Sequence, residues 1–349
     1  MVLSTVVVLV LVGLGARAVW HDRHRTGLRE ALDVVPRATL RLAFTDWAAV
    51  RRQLDVPDQA RPTAATLDKL TSKAYDTDLS AASSIDESTA ALQKNFGFSP
   101  ATVEWEAYAQ SRAGATMVVR LPDDVDPHDV TDHLADLGFK KPDSSTGVWR
   151  GGIDLVAAID PTITPELQYV AVLADRHLVV TSDTASYAEQ AVAAAKGDRD
   201  SLGDVASTRQ LVETMKEPAA AMVWSGDFAC EDLAMSQADE DSQSQADSLV
   251  QAAGGVSPLS GLVMAMTPDR HLVVGELFES SGQARGDLRP RAKLAVGEAP
   301  GRGGSFSDDL RLVSSRTDGP VVLLEFRPRT RSGFVLSGLD NGPVLFATC

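Results

Sequence analysis

Two pairs of acidic residues in the first half of the chain have the types and spacing best suited to chemistry. Glu104 and Glu106 flank a tryptophan in a strand-like segment, so both carboxylates would share one face of a strand and Trp105 the other. Asp123 and Asp124 open an acidic run further along. Paired carboxylates can carry out general acid–base catalysis and hydrolysis. These four residues are therefore weak candidates for an acidic site.

The acidic run 123–129 does not match a calcium-binding loop. Counted from Asp124, the loop positions that require glycine and glutamate hold Asp129 and Ala135. Asp126-Pro127 instead predicts the start of a helix, because aspartate caps helices and proline suits the first helical position. The sequence predicts no catalytic residue, no metal ligand and no cofactor.

Other catalytic motifs are missing from the sequence. It contains no Gly-x-Ser-x-Gly nucleophile elbow, and the glycine-rich segment 297–305 lacks the lysine of a phosphate-binding loop. His177 and His271 occupy matching positions after turns, without a nucleophile beside them. We expect segment 297–305 to form a loop and both histidines to be turn or packing residues.

The two cysteines are Cys230 and Cys349. An even number of cysteines in an exported chain favours a disulfide, which here would tie the carboxyl terminus to the second half. Segment 342–347, next to Cys349, is apolar and strand-like, which argues against a frayed terminus. The alternative is two unrelated thiols. A disulfide would also favour export of residues 36–349, which we call the body.

The amino-terminal segment 1–20 predicts a transmembrane anchor or a signal peptide. Residues 2–16 are uncharged and apolar, a length between those of a signal core and a spanning helix. Ala16-Arg17-Ala18 resembles a cleavage site, whereas Trp20 suits a retained anchor. Residues 21–35 predict a tether. Arginines follow the apolar run, so the positive-inside rule places the body in the cytoplasm, opposite to the location that the cysteines favour.

Charge limits the partners of the body. The net charge is −15 and the isoelectric point is about 4.8. Such a surface repels phosphate backbones, so we expect no nucleic-acid partner. It also disfavours broad docking of the body on an anionic membrane.

Internal repetition organises the rest of the chain. The hexapeptide Asp-Arg-His-Leu-Val-Val occurs at 175–180 and again at 269–274, each time in a predicted β-hairpin followed by a helix. A proline precedes the apolar runs 39–44 and 219–224. We therefore predict two related halves, 36–217 and 218–349, with additional helices inserted in the first.

The predicted fold class is α+β, an internally duplicated antiparallel sheet with helices on one face. A ferredoxin-like arrangement of each half is one option. Residues 104–110 and 115–121 suit a hairpin, and residues 153–159 suit another strand. Tight hairpins argue against a parallel sheet, because parallel strands need long crossovers.

Segments 169–204 and 338–349 carry a resemblance to known proteins. They resemble uncharacterised exported or membrane-anchored proteins of high-GC Gram-positive bacteria, a family of unknown function with hairpin–helix repeats. The resemblance implies a location at the cell envelope and an architecture, and it implies no reaction.

Three functions are compatible with the sequence. The first is a non-enzymatic envelope protein at the cell membrane, its body extracytoplasmic, that binds an envelope protein, a lipid or a polymer. The second is an envelope hydrolase that uses the carboxylates of the first half. The third is a membrane-tethered scaffold that faces the cytoplasm.

Overall fold

A single antiparallel sheet organises the protein. The computed structural model describes residues 26–233, 235, 238–340 and 342–349. Its sheet has 11 strands in the order β10-β11-β9-β8-β7-β1-β2-β3-β6-β5-β4. The strands are β1 (Arg41–Thr45), β2 (Trp105–Ser111), β3 (Gly114–Arg120), β4 (Trp149–Arg150), β5 (Tyr169–Leu173), β6 (Leu178–Ser182), β7 (Ala220–Ser225), β8 (Gly261–Met266), β9 (Leu272–Leu277), β10 (Leu310–Asp318) and β11 (Val321–Pro328). The predicted α+β class and antiparallel sheet are confirmed.

Helices connect the strands and cover the sheet. They are α1 (Gly27–Leu32), α2 (Trp47–Gln53), α3 (Ala64–Asp76), α4 (Thr89–Asn95), α5 (His128–Asp136), α6 (Ile153–Ile159), α7 (Ala185–Lys196), α8 (Ala206–Glu213), α9 (Phe228–Asp232), α10 (Glu240–Ala253), α11 (Ser281–Leu294), α12 (Phe306–Asp309) and α13 (Leu336–Asp340). Helix α6 occupies the segment that we predicted as a strand. That prediction was wrong because a short apolar run fits either element, and Gly152 with a φ of 79° starts a helix there.

The two faces of the sheet carry separate hydrophobic cores. Helices α1, α7 and α8 cover one face, where Leu42 and Val223 point. Most other helices cover the opposite face, where Met222 and Trp224 point. The prediction of helices on one face was therefore wrong. Central strands such as β7 carry apolar side chains on both faces of the sheet, so helices must cover both faces.

The strand order is the same on each side of the central β1–β7 pair. Outward from that pair the order is β1-β2-β3-β6-β5 on one side and β7-β8-β9-β11-β10 on the other. The repeated hexapeptide does not follow this symmetry. Its first copy leads into β6 and its second into β9, whose counterparts in the opposite halves are β11 and β3.

The ferredoxin-like option is wrong. In such a half, a third strand lies between the two strands that a helical crossover joins, whereas here the consecutive strands β1 and β2, and likewise β7 and β8, pair directly. The predicted hairpin of β2 and β3 is confirmed, with Ser111 opposite Gly114. Hairpins of this kind account for most of the sheet.

The described part of the predicted tether is packed against the body. Helix α1 begins after Thr26, whose side chain caps it. Leu28, Ala31 and Val35 are fully buried in the core beneath it. The predicted anchor or signal segment 1–20, and the tether up to residue 25, lie outside the described residues. Among the described helices, none combines the length and the apolar character needed to span a bilayer.

Candidate functional site

A cleft with four carboxylates opens where the central strands end, and we call it the acidic cleft. We use the word edge for such a row of strand ends, not for an outermost strand. The cleft has a volume of about 350 Å³. Glu104 and Asp123, two of the four predicted acidic candidates, are among its walls. The lining residues are Gly27, Glu30, Asp46, Glu104, Trp105, Arg120 and Asp123.

Antiparallel pairing brings these distant residues together. The carboxyl end of β1, the amino end of β2 and the carboxyl end of β3 meet at this edge, where Thr45 faces Glu106 and Trp105 faces Arg120. The backbone N–H of Glu104 donates to the carbonyl of Arg120 at 2.8 Å. Asp46, directly after β1, therefore lies beside the segments before β2 and after β3.

Asp46 has both a structural and an electrostatic role in the cleft. Its Oδ1 accepts a hydrogen bond of 2.7 Å from the N–H of Ala49 and so caps helix α2. Burial raises the pKa of Asp46, and the nearby charge of Glu104 raises it further, while the helix bond and Arg52 oppose the shift. Burial therefore opposes ionisation of Asp46 in the cleft.

Two polar contacts fix other walls of the acidic cleft. Arg120 donates to Asp123 at 2.6 Å, although 84% of the Asp123 side chain is exposed. The indole N–H of Trp105 donates to Glu30 of α1 at 3.3 Å. Arg120 is the one basic residue among those that line the cleft, so acidic groups outnumber basic groups even without Asp46. The cleft therefore favours a cationic group over an anionic one.

Gly27 permits the close approach of α1 to this edge. A Cβ atom at this position would lie 3.1 Å from Cζ of Phe44, 3.2 Å from Cδ1 of Trp105 and 3.7 Å from Oδ2 of Asp46. A larger residue would push α1 outward and separate Glu30 from the other carboxylates. Thr26, and with it the junction to the apolar amino-terminal sequence, lies at the same edge.

The remaining two acidic candidates do not join the cleft. Glu106 is fully buried on the face of β2 opposite to Trp105. Glu104, which we predicted to share a face with Glu106, instead lines the cleft beside Trp105. Its Oε1 accepts from the N–H of Ser84 at 3.2 Å, and its Oε2 has no hydrogen-bond partner among the described residues. Burial raises the pKa of Glu106 to about 8, with a smaller contribution from Asp86. Asp124 is exposed and lines no part of the cleft.

Sequence reasoning missed two acids and the arginine of the cleft. Asp46 carried a recognisable signal as a helix cap, but nothing in its local sequence linked it to Glu104. Glu30 fell in the predicted tether. Arg120 ended a predicted strand without a visible partner. Within the described residues, no group of three or more histidine, cysteine, aspartate and glutamate side chains has the geometry to hold a metal ion.

The predicted disulfide is present in the structure. Cys230 and Cys349 are joined across 119 residues, with Cα atoms 5.7 Å apart. The bond ties the last residue to helix α9, directly after the central strand β7. The carboxyl terminus is therefore fixed to the middle of the sheet.

Comparisons with known proteins do not assign this chain to a family. No protein-family model matches the chain, and no curated protein matches it. A solved structure described as crystal form I of TP0453 aligns over 90% of this chain and 97% of that chain, at 9% sequence identity and a TM-score of 0.37. A similarity of this size supports no inference about function.

Proposed function

We propose that the protein is an exported or membrane-anchored cell-envelope protein whose body acts as a binding or scaffold module outside the cytoplasm. The observation that carries the proposal is the Cys230–Cys349 disulfide. Disulfides of this kind persist in oxidising compartments and are rare in the cytosol. The apolar segment 2–16 supplies a means of export or anchoring, and the mirrored strand order supports the proposal of two related halves.

A count of free thiols tests the location of the body. Protein from its native host is denatured in alkylating agent without reductant, and the modified cysteines are counted by mass spectrometry. The proposal predicts no free thiol in the monomer. Two free thiols in freshly isolated protein would contradict it and would favour the scaffold that faces the cytoplasm.

The acidic cleft is the binding surface that we propose for a cationic group on an envelope protein or polymer. Its excess of carboxylates over Arg120 supports this choice. Glu104→Gln combined with Glu30→Gln should abolish cross-linking of the partner in native membranes. Glu189→Gln combined with Glu217→Gln, two exposed positions elsewhere, is the matched control. Partners recovered equally with both variants would exclude the cleft as the binding surface.

An envelope hydrolase is a second candidate, favoured by one specific observation. Burial raises the pKa of Asp46, which lines the cleft together with Glu104, and a carboxyl group with a raised pKa suits general acid catalysis. Turnover of ester, glycoside or peptide model substrates that both Asp46→Asn and Glu104→Gln abolish would support it. Activity that persists in these variants, or no turnover with purified wild-type protein, would remove it.

A further inference from the structure

A basic and aromatic surface lies at the end of β11, and we call it the arginine–aromatic patch. The name covers four exposed arginines and two exposed aromatic rings that share this end of the sheet, on both of its faces: Arg311, Arg327, Arg329, Arg331, Tyr75 and Phe334. Tyr75 is 58% exposed and Phe334 is 55% exposed. Their ring centroids are 4.9 Å apart in an edge-to-face arrangement. Large aromatic side chains at this exposure are unusual for a surface that contacts only water.

The arginines of the patch have no carboxylate partner in the part of the chain that the structure describes. Arg311 faces Arg327 directly across the β10–β11 pair, and like charges in that position are destabilising. Arg316, on the same strand, does have partners in Asp318 and Glu325. Asp269 is close enough to feel the charge of Arg327, yet none of the four arginines forms an ion pair with a described residue. Exposed aspartates such as Asp269 and Asp309 lie close to these arginines, but no described carboxylate is joined to them in an ion pair, so the guanidinium groups have none to displace when they bind an external anion.

The loop that carries Phe334 is held firmly from beneath. The Arg270 guanidinium donates to the carbonyls of Thr330 and Gly333, each at 3.2 Å. Asp78 is buried and accepts from the N–H groups of Val335 and Leu336 at 2.8 and 2.5 Å. These contacts fix both sides of the loop, and its aromatic ring stays exposed between them. The exposure of Phe334 is thus a feature of an ordered loop.

The sheet register places the patch at the same edge as residue 26. Thr45, Ala220, Met266, Leu272 and Phe326 form one row of paired residues across β1, β7, β8, β9 and β11. Arg327 follows Phe326 at this edge, and Thr26 lies near Asp46, directly after Thr45. Four strand spacings separate the two places by roughly 20 Å. Residues 21–25 can span at most about 17 Å, so an anchor at 1–20 would hold this edge close to the bilayer.

We propose that the arginine–aromatic patch docks on the anionic headgroup layer of the membrane. Arginines bind phosphate groups through paired donors, and aromatic side chains favour the boundary between headgroups and acyl chains. The net charge of −15 disfavours broad docking of the body, so the proposal confines the contact to this patch. The inference rests on the membrane-anchored form of the proposed function.

The test uses the full chain with vesicles of phosphatidylglycerol or of phosphatidylcholine. Flotation reports membrane attachment, and hydrogen exchange of the 327–334 amides in the floated fraction reports docking. We expect exchange in this segment to slow by about tenfold on phosphatidylglycerol relative to phosphatidylcholine, since each arginine near an anionic surface is attracted to it. Raising the salt concentration should weaken the difference.

Two variants and one control separate docking from general effects. Arg327→Gln, Arg329→Gln and Arg331→Gln together should remove the phosphatidylglycerol-dependent slowing, and Phe334→Ala should reduce it. The control replaces Arg37, Arg112 and Arg199 with glutamine, because these exposed arginines lie at the opposite edge of the sheet. Loss of the slowing in the control as well would overturn the assignment to the patch.

The remaining outcomes are equally decisive. Flotation with identical exchange on both lipids overturns the docking inference and leaves the anchoring proposal standing. Failure to float on either lipid overturns both. The 327–334 amides could instead exchange slowly in native membranes but not on phosphatidylglycerol vesicles. That result would assign the patch to a protein partner and would also overturn the inference.

Discussion

Glu106 shows how a single buried carboxyl group couples stability to pH. It has no exposed surface, and its pKa is raised to about 8, mainly by burial. In the unfolded chain a glutamate releases its proton near pH 4.3. Between these values the folded state holds one more proton than the unfolded state, so stability must fall as pH rises through this window.

Glu106→Gln should therefore stabilise the protein at alkaline pH. The Glu106 carboxyl group lowers the free energy of unfolding by roughly 1.4 kcal/mol for each pH unit in this window. An amide cannot ionise, so this decrease should be absent in the variant. Urea unfolding at pH 5, 7 and 9 measures the effect, and Glu217→Gln at an exposed position is the control. Parallel pH profiles for wild type and Glu106→Gln would mean that Glu106 ionises normally in the fold.

Asp78 joins two segments that are far apart in sequence. Its carboxylate accepts bonds from Val335, Leu336 and Ser337, although its own φ of 60° is unusual for an L-residue. Asp78→Ala should lower the free energy of unfolding by roughly 2–3 kcal/mol, because buried donors lose a charged acceptor. Asp78→Asn should cost less, since asparagine keeps an acceptor and tolerates this backbone region.

Chemical denaturation of both variants measures these costs. Asp76→Ala, two residues earlier and with an exposed side chain, is the matched control. Equal stability of Asp78→Ala and wild type would show that water replaces the carboxylate without loss.

At the scale of elements, one side chain of α11 fixes the carboxyl-terminal segment. Arg291 is fully buried, and its guanidinium donates to the carbonyls of Phe346, Thr348 and Ser257 at 2.6 to 2.7 Å. Asp287, one turn earlier, lies 3.6 Å from its Nε. Glu276 is also buried beside Arg291, and burial raises the pKa of this carboxyl group. Helix α11 therefore holds the terminal segment through two carbonyls and the segment before β8 through a third.

Arg291→Lys should lower the free energy of unfolding by about 3 kcal/mol, because one ammonium cannot satisfy three separated carbonyls in a buried site. The variant should also reduce its disulfide faster in dithiothreitol, since the segment before Cys349 loosens. Arg289→Lys, exposed on the same helix, is the control for both measurements. Unchanged reduction kinetics in Arg291→Lys would indicate that the terminal segment is held by packing alone.

At the scale of the whole molecule, the disulfide closes a loop that contains most of the second half. The bond spans 119 residues, which corresponds to about 5 kcal/mol in the chain-entropy model. Cys230→Ala combined with Cys349→Ala should therefore lower the denaturation midpoint substantially. Wild type in excess reductant should unfold at the same midpoint as the double variant. A double variant as stable as oxidised wild type would mean that the closed loop does not restrict the unfolded chain.

Local patterns in the sequence determined the elements whose signals are local. The hairpin of β2 and β3, the helix that follows Asp126-Pro127 and the α+β class follow from strand alternation, helix caps and turn residues within short windows. Pairing of Cys230 with Cys349 was also predictable, because the chain offers no other cysteine. The opposite orientation of Glu106 and Trp105 follows from the two-residue period of a strand.

Only the tertiary structure decided which elements lie side by side. The pairing of β1 with both β2 and β7 brings Asp46 to Glu104 and places Thr26 at the same edge as Arg327. No local signal carries that information, because these two pairings of β1 join segments separated by more than fifty residues. The identical hexapeptide suggested the wrong equivalence for the same reason: similar local sequence favours a hairpin, whereas contacts across the whole sheet fix its position in the strand order.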